Sequence, residues 1–502
     1  MVSIILLLLH SVSAATPSQW RNRAIYQVIT DRFARTDGST SATCNTGDRV
    51  YCGGTWKGII QHLDYIKGMG FDAVWISPIT FQLQGKTMWG ESYAGYWQQD
   101  LYRLNGNFGT AADLKALSAA LHAQGMYLMV DIVVNHNAWN GPPSAVNYTT
   151  FNPFNNPSNY HPFCEIDYSN TTSAQVCWLG DTNVPLPDLK TESPTVASTY
   201  QTWISQLMSN YSIDGLRLDT VLNVDPSFWP AFSRAAGSPY LVGEVYTGNT
   251  STACAYQQSS SSSPILPGIL NYPLYFPLSA AFASPSGNMT ALAARIAEIH
   301  NACADTSLLA PFSENADVPR FASLTGDLVA AQNVLAFTLL ADGVPVVYQG
   351  QEQHYSSVGG SGDPWNREAL WFSGYQTQVP LYGLTKILLG LRKWAGGLDQ
   401  GYWGYGMWAI YSDARTVVVR KGYPGRQVLA VLTNAGSQAP AHAVQLGADK
   451  TAATKGQVWM DVLGCGTVVA DSNGGLNVTI PGGWPRVLFP QAALKGSGFC
   501  GQ

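Results

Sequence analysis

The sequence predicts an α/β fold in which a parallel barrel of strand–helix units is followed by an all-β domain. Short apolar runs alternate with helical stretches from about residue 24 to residue 348, as in parallel α/β proteins. Beyond about residue 400, runs rich in β-branched residues alternate with Gly-rich turns. The chain of 502 residues is long enough for a barrel-sized domain and a smaller one.

The strand candidates are short and apolar throughout, which is typical of strands that are buried on both faces. The number of strand–helix units approaches eight, as in a closed parallel barrel. The predicted strands are 24–29, 73–77, 127–134, 215–219, 241–245, 307–310 and 344–348, and helical stretches at 59–69, 111–123 and 199–211 precede three of them.

Two parts of the chain depart from this alternation. Residues 137–191 are rich in Asn, Pro, Ser and aromatic residues and show little helical period. Because long insertions after barrel strands lie on the catalytic face, we expect an irregular subdomain that overhangs the site. The strands predicted for the all-β C-terminal domain are 416–420, 427–432, 457–459 and 476–480.

Composition and the N-terminus point to an exported protein. The net charge of -5 and the lack of a basic run argue against nucleic acid or an anionic membrane as partner. Residues 4–9 form a short apolar core followed by small residues up to Ala15, which predicts a signal peptide over residues 1–15 and a secreted protein. The apolar run is too short to span a bilayer.

The cysteines and glycosylation sequons agree with export. An even number of cysteines, 8, predicts a disulfide framework, and many connectivities are formally possible. We expect pairing between sequence neighbours: Cys44–Cys52, Cys164–Cys177, Cys254–Cys303 and Cys465–Cys500. Sequons for N-glycosylation occur at Asn147, Asn170, Asn210, Asn249, Asn288 and Asn477.

The candidate chemistry centres on two carboxylates at the ends of successive strands. Asp219 ends the run Gly215–Asp219, Glu244 lies near the end of Leu241–Val245, and Arg217 precedes Asp219 by two residues. A carboxylate in such a position is costly to desolvate unless it is paired or has a task. One interpretation is a buried Arg–Asp pair plus an unrelated Glu, and the other is a catalytic pair.

Further polar clusters follow other strands, at 131–136, 312–317 and 362–367, and would meet at the same mouth of the barrel. Together they suit glycoside cleavage with retention, which needs an ionised nucleophile and a protonated acid roughly 5 Å apart. Arg217 would keep Asp219 ionised, and burial would keep Glu244 protonated. Asp317 would stabilise the positive charge that develops on the sugar ring.

The segments DIVVNH, GLRLDT, GEV and FSENAD, in this order and spacing, resemble the four signature regions of the α-amylase family of glycoside hydrolases. The resemblance to secreted fungal α-amylases covers nearly the whole chain and includes GYWQQD, CWLGD, LPDL, GQEQHY and NREA. It implies a (β/α)8 TIM barrel with an inserted domain after the third strand and a C-terminal β-sandwich. The domain boundaries are then 16–136 and 192–398 for the barrel, 137–191 for the insertion and 399–502 for the sandwich.

The resemblance also implies roles for single residues. Asp219 resembles the nucleophile, Glu244 the acid/base and Asp317 the transition-state stabiliser. The implied substrate-binding residues are Tyr96, Trp97, His136, Arg217, Asp363 and Arg367, although Trp97 is also a candidate for packing and His136 for a satisfied core histidine. A Ca²⁺ site is implied with the oxygen ligands Asn135, Gln175, Asp188 and the carbonyl of Asn223, against the alternative of a hydrogen-bonded polar cluster.

Several positions depart from the family pattern. Ala94 and Ala316 stand where the family usually has histidines, and Leu222 and Asn223 stand where fungal members have a Lys–His pair. The expected protein is a monomeric, secreted, retaining hydrolase that cleaves internal α-1,4 bonds of starch-like glucans. The alternatives are a 4-α-glucanotransferase, with Tyr246 as a stacking face for the acceptor sugar, and a weakly active glucan-binding relative.

Overall fold

The computed structural model describes residues 14–258 and 264–502. Its central sheet is parallel and has 7 strands, each followed by helical structure. The sheet order places the first strand in the chain between the second and the last, as in a barrel that closes on itself. In sheet order the strands are Gly268–Ile269, Tyr240–Gly243, Gly215–Leu218, Tyr127–Ile132, Ala73–Ile76, Ile25–Val28 and Val346–Tyr348.

The segment 309–311 closes the barrel between the two edge strands of this sheet. Ala310 donates to Ile269 O at 2.9 Å and accepts from Asn271 N, while Val344 and Val346 donate to the carbonyls of Leu309 and Pro311. The prediction of a strand at 307–310 is wrong for its first two residues, because a 3₁₀ turn occupies Thr306–Leu308. The architecture is a (β/α)8 barrel, as predicted.

The helices around the barrel bury their apolar faces against the sheet. Helix Ala111–Ala123 matches the predicted bounds and begins with a capping box between Thr110 and Asp113. The predicted helix at 59–69 is two helices, Trp56–Gln61 and Leu63–Gly68, separated at His62. The other helices of five or more residues in the barrel are Pro194–Tyr211, Phe228–Ala235, Thr250–Cys254, Tyr272–Phe282, Met289–Ala302, Leu328–Leu340 and Pro380–Leu398.

The segment 137–191 is irregular, as expected. Its regular elements are short 3₁₀ turns, the helix Thr171–Val176 and a two-stranded pair, Leu179–Gly180 with Pro185–Leu186. An isolated bridge between His136 and Asp188 ties the two ends of the segment to each other at the end of the third barrel strand.

The C-terminal domain is a β-sandwich. One sheet has 6 antiparallel strands and faces the two-stranded sheet His442–Leu446 with Leu476–Ile480. Apolar side chains of both sheets, among them Val418, Val431 and Val478, share one buried cluster. The strands of the larger sheet, in sheet order, are Trp408–Ser412, Thr416–Lys421, Val428–Thr433, Arg486–Pro490, Val458–Asp461 and Thr467–Val469.

All four expected disulfides are present, and the described residues include no free cysteine. No helix within residues 14–258 and 264–502 is both long and apolar enough to cross a membrane. The predicted signal peptide lies outside the described residues except for its last two. Of these, Ala15 is buried, donating to Asp214 O and accepting from Tyr240 N at the base of the barrel.

Candidate active site

A cleft of about 520 Å³ opens at the carboxyl ends of the barrel strands, where barrel enzymes place their chemistry. Eight of the nine residues predicted for catalysis or substrate binding line this cleft. The ninth, Arg217, is buried directly beneath it, with a relative exposure of 1%. The lining residues from the predicted set are Tyr96, Trp97, His136, Asp219, Glu244, Asp317, Asp363 and Arg367.

Strand register brings the two central carboxylates together. Leu218 pairs with Gly243 in parallel register, so the next residues, Asp219 and Glu244, emerge side by side at the rim. A Cβ at Gly243 would lie 2.5 Å from Leu266 Cδ1, so a larger residue would require the leucine side chain to shift. The parallel register of the two strands therefore sets the adjacency of these carboxylates.

Arg217 joins three buried carboxylates. Its Nη1 donates to Asp219 Oδ1 at 2.7 Å and to Asp131 Oδ1 at 2.9 Å, and its Nη2 lies 2.9 Å from Glu244 Oε2. Asp131 also accepts from the Tyr96 hydroxyl at 2.8 Å and from Trp75 Nε1 at 3.1 Å. The prediction that Arg217 pairs with Asp219 is confirmed, and the guanidinium contacts Glu244 as well.

The turn after Asp219 supplies further donors. Thr220 adopts φ 45°, an unusual left-handed conformation for a β-branched residue. In this conformation its N–H donates to Glu244 Oε2 at 3.0 Å and its hydroxyl to Asp219 Oδ2 at 3.2 Å. The other oxygen of Glu244 accepts from the Tyr272 hydroxyl at 3.4 Å.

Burial shifts the pKa values of the two carboxyls in the same direction. It raises the pKa of Glu244 to about 7, and Arg217 only partly offsets this effect. It raises the pKa of Asp219 to about 6, against the opposing effect of Arg217 and its hydrogen bond. With Asp131, the cluster holds three carboxyls against one guanidinium, so a single proton shared by the group lies most favourably on Glu244.

The rim of the cleft is more open and carries the third carboxylate. The Asp317 side chain is 32% exposed and accepts from Arg367 Nη2 at 3.2 Å. Arg367 Nη1 also lies 3.2 Å from Asp363 Oδ1, which the Tyr93 hydroxyl contacts at 3.3 Å. This chain of contacts holds Asp317 above the buried pair.

His136 is a neutral, fixed side chain in the wall of the cleft. Burial lowers its pKa to about 4. Nε2 donates to the Tyr96 carbonyl at 3.1 Å, and Nδ1 accepts from the Asn135 amide at 3.3 Å. Trp97 lines the cleft and also packs against a small cluster that includes Leu83 and Ala138, so its packing is observed and its contact with substrate stays a prediction.

The positions that depart from the family pattern have different surroundings. Ala94 lines the cleft, so the imidazole that the family usually has at this position is missing from the wall. Ala316 is buried against Ile29 and Tyr348 and does not line the cleft. Leu222 is half-buried and packs against the barrel core.

The predicted calcium ligands lie near the base of the inserted segment. Asn135 and Asp188 are buried, and Asn223 Nδ2 donates to the carbonyl of Ala174, the neighbour of Gln175. Asp188 Oδ2 accepts from His161 Nδ1 at 2.7 Å, whereas the buried Oδ1 has no partner among the described residues. No group of three or more His, Cys, Asp or Glu residues suited to a metal occurs in the described parts of the chain.

Sequence reasoning missed several contributors to the cleft. Thr220 directly follows Asp219, and that adjacency was the available signal. Tyr272 and Tyr93 donate hydrogen bonds to Glu244 and Asp363, which are far from them in the sequence, so no local pattern could have indicated them. Trp89 lines the cleft and donates from Nε1 to Asp181 Oδ2 at 2.8 Å, which links the barrel to the inserted segment.

Comparisons with known proteins agree with this geometry. Residues 27–369 match the family model described as "Alpha amylase, catalytic domain", and residues 409–502 match "Alpha-amylase, domain C". Alpha-amylase 2 of Schwanniomyces occidentalis is 46% identical over 488 residues, which is 97% of this chain and 94% of the relative. Alpha-amylase 1 of Lipomyces kononenkoae is 48% identical over 98% of this chain and 77% of its own length.

A solved structure of an α-amylase from Malbranchea cinnamomea superposes with a TM-score of 0.92 at 50% identity, covering 97% of this chain and 100% of that one. The fold, the buried carboxylate cluster and these similarities lead to one assignment. The chain belongs to the α-amylase family and is a glycoside hydrolase.

Proposed function

We propose that the protein cleaves internal α-1,4-glucosidic bonds of starch-like glucans with retention, through a covalent glycosyl-enzyme intermediate. The observation that carries this proposal is the sharing of one guanidinium by Asp219 and Glu244. Two carboxyls on the terminal nitrogens of one arginine suit the roughly 5 Å spacing of retaining enzymes better than the wider gap of inverting ones.

In the first step Asp219 is the nucleophile and Glu244 the acid. The carboxylate of Asp219 forms a bond to the anomeric carbon while the bond from that carbon to the glycosidic oxygen breaks. Glu244 gives its proton to the departing oxygen, for which its raised pKa suits it. Arg217 and the Thr220 hydroxyl keep Asp219 in the ionised form that the attack requires.

In the second step the same groups act in reverse. Glu244, now ionised, takes a proton from water while the water oxygen bonds to the anomeric carbon and Asp219 leaves. Asp317 stabilises the positive charge that develops on the sugar ring in both steps. Tyr96 offers a ring face to that sugar, and His136 is held in place by the Tyr96 carbonyl.

The names of the relatives and the exposed rim support an extended glucan as substrate. The side chain of Asp363 is 46% exposed, so a second sugar has room beside it. The relatives are named α-amylases, which supports the same substrate class.

The test is the anomeric form and size of the first products from maltoheptaose, followed by NMR. We expect α-anomers and several product lengths from the start. Asp219→Asn should lower kcat by at least 1,000-fold, roughly 4 kcal/mol of transition-state stabilisation, while Asp363→Asn, a carboxylate at the rim, should lower it much less. Initial β-anomers would refute retention, and an active Asp219→Asn variant would refute the assigned nucleophile.

One observation favours transfer to sugar acceptors as a second candidate function. Tyr246, two residues after Glu244, is 49% exposed and lies 4.6 Å from the ring of Tyr272 and 6.1 Å from that of Phe276. This exposed aromatic face beside the acid would hold an acceptor sugar by stacking. The half-buried Leu222 makes the same side less polar than the Lys–His pair of fungal relatives.

We also propose a Ca²⁺ ion between the barrel and the inserted segment. The buried, unpartnered Oδ1 of Asp188 fits a cation, and the other oxygens would come from Asn135, Gln175 and the Asn223 carbonyl. The ion would hold the inserted segment against the end of the third barrel strand, where His136 and Asn135 lie. It would stabilise the site without taking part in bond cleavage.

The remaining proposals concern the setting of the enzyme. Four disulfides support secretion into an oxidising compartment, and the six sequon asparagines are all exposed, which supports N-glycosylation. The net charge of -5 supports a partner that is neither nucleic acid nor an anionic membrane, and we propose a monomer. The domain boundaries 16–136 with 192–398, 137–191 and 399–502 remain our proposal.

A further inference from the structure

A second cleft of about 520 Å³ lies at the opposite, amino-terminal face of the barrel. Its walls come from residues that precede three barrel strands and from the end of helix Pro380–Leu398. This face of a barrel normally contributes to stability and not to ligand binding. We call it the basic cleft, and the residues used here are Arg23, Lys67, Asp72, Gln124, Lys393 and Trp403.

The basic cleft concentrates positive charge. Three cationic side chains, Arg23, Lys67 and Lys393, face a single carboxylate, Asp72. Lys393 lies 3.1 Å from Asp72, whereas Lys67 forms no ion pair with any described residue. A local excess of two positive charges in a chain of net charge -5 attracts an anion.

Two buried polar atoms in the wall of the basic cleft have no hydrogen-bond partner among residues 14–258 and 264–502. One is a donor, Nε of Arg23, and the other an acceptor, Oε1 of Gln124. The rest of the Arg23 guanidinium is fixed, because one nitrogen donates to Gly125 O at 3.0 Å and the group stacks 3.8 Å above the Tyr127 ring. Both atoms are closed to solvent, so a ligand in the cleft would meet the exposed cationic groups and not these two atoms.

We propose that the basic cleft binds a phosphorylated sugar. The phosphate oxygens would accept from Arg23, Lys67 and Lys393. The half-buried Trp403 provides an apolar wall for the sugar ring. The volume is adequate for a ligand of this size.

Isothermal titration of the full chain with glucose 6-phosphate, inorganic phosphate, glucose and a phosphorylated maltooligosaccharide tests this proposal. We expect glucose 6-phosphate to bind at least tenfold more tightly than inorganic phosphate or glucose, and to bind more weakly as salt is raised. Tighter binding of the phosphorylated oligosaccharide would support the site as one for phosphorylated glucan, and equal binding would support a site for the free sugar phosphate.

Lys67→Ala should weaken binding about tenfold, since it removes one unpaired charge from the phosphate side. Trp403→Leu should weaken the binding of glucose 6-phosphate but leave that of inorganic phosphate unchanged, because the ring would contact only the sugar. Lys455→Ala, an exposed lysine of the C-terminal domain, is the matched control and should have no effect. Absence of binding, equal affinity for phosphate and glucose 6-phosphate, or an unaffected Lys67→Ala variant would each overturn the proposal.

Discussion

Replacing Arg217 by lysine keeps one positive charge beneath the active-site cleft but removes the fork that joins three carboxylates. In the wild-type protein Nη1 serves Asp131 and Asp219, and Nη2 serves Glu244. A single ammonium group cannot occupy both nitrogen positions. Because the fork fixes the relative positions of the proposed nucleophile and acid, its loss should affect the reaction more than the fold.

The magnitude follows from the bonds lost. A hydrogen bond to a charged group contributes about 1.5–3 kcal/mol, and the lysine variant loses at least one and at most two of the three contacts. A loss of about 3 kcal/mol in the transition state corresponds to roughly a hundredfold lower kcat/KM. Because lysine contacts fewer carboxylates than arginine, it offsets the effect of burial less well, and the apparent pKa values of Asp219 and Glu244 should rise. The bell-shaped pH profile should therefore move to higher pH.

The assay is kcat/KM on maltoheptaose across pH, with thermal unfolding measured in parallel. Arg320→Lys is the matched control, because Arg320 is equally buried and joins Glu314 and Glu368 outside the carboxylate cluster. We expect both variants to lose stability but only Arg217→Lys to shift the pH profile. If Arg217→Lys kept wild-type kcat/KM and an unmoved profile, the role given to the shared guanidinium would be wrong.

Three further predictions concern specificity, domain packing and the metal. Tyr246→Ala should lower the ratio of transfer to hydrolysis about tenfold, seen as fewer products longer than the substrate; an unchanged ratio would remove the argument for an acceptor platform. Asp342→Asn should cost about 3 kcal/mol in unfolding free energy, because the buried carboxylate binds Lys421 and His300. Burial alone would raise the pKa of Asp342, but these partners outweigh burial and hold it below its ordinary value. This stabilisation is therefore present at neutral pH and lost as pH falls below the unfolded pKa of about 4, which acid unfolding of wild type and variant can check. A calcium chelator should lower the unfolding midpoint of the wild type but not that of Asp188→Asn, and equal shifts would argue against the proposed site.

Much of the barrel could be predicted because its strands are continuous apolar runs. The bounds of helix Ala111–Ala123 agree with the prediction, and in the structure a capping box between Thr110 and Asp113 fixes where this helix begins. The bounds of the segment 309–311 could not be predicted from a strand pattern. Pro311 has no N–H and contributes only its carbonyl to the barrel. The strand Gly268–Ile269 is too short to give a periodic signal.

The candidate site was predictable where function needs a carboxylate at a strand end. Asp219 and Glu244 stood out because they interrupt apolar runs. Their contact with the same arginine depends on the parallel register of Leu218 with Gly243, which no single segment encodes. Tyr272 contacts Glu244 from the start of helix Tyr272–Phe282, so only the folded chain reveals this hydrogen bond.

The substitutions at family positions fall outside the network centred on Arg217. Asp131, Asp219 and Glu244 all bind this guanidinium, and the alanines that stand where the family usually has histidines carry no polar side-chain atom that could join the network. Ala94 removes a donor from the wall of the cleft, and Ala316 lies in a separate apolar cluster. In the proposed mechanism, bond cleavage depends on the network, whereas the binding of the sugar hydroxyls depends on the wall of the cleft. The same chain can therefore retain the chemistry of its family while holding each sugar less firmly, and the exposed Tyr246 then has more influence on whether water or another glucan takes the glycosyl group.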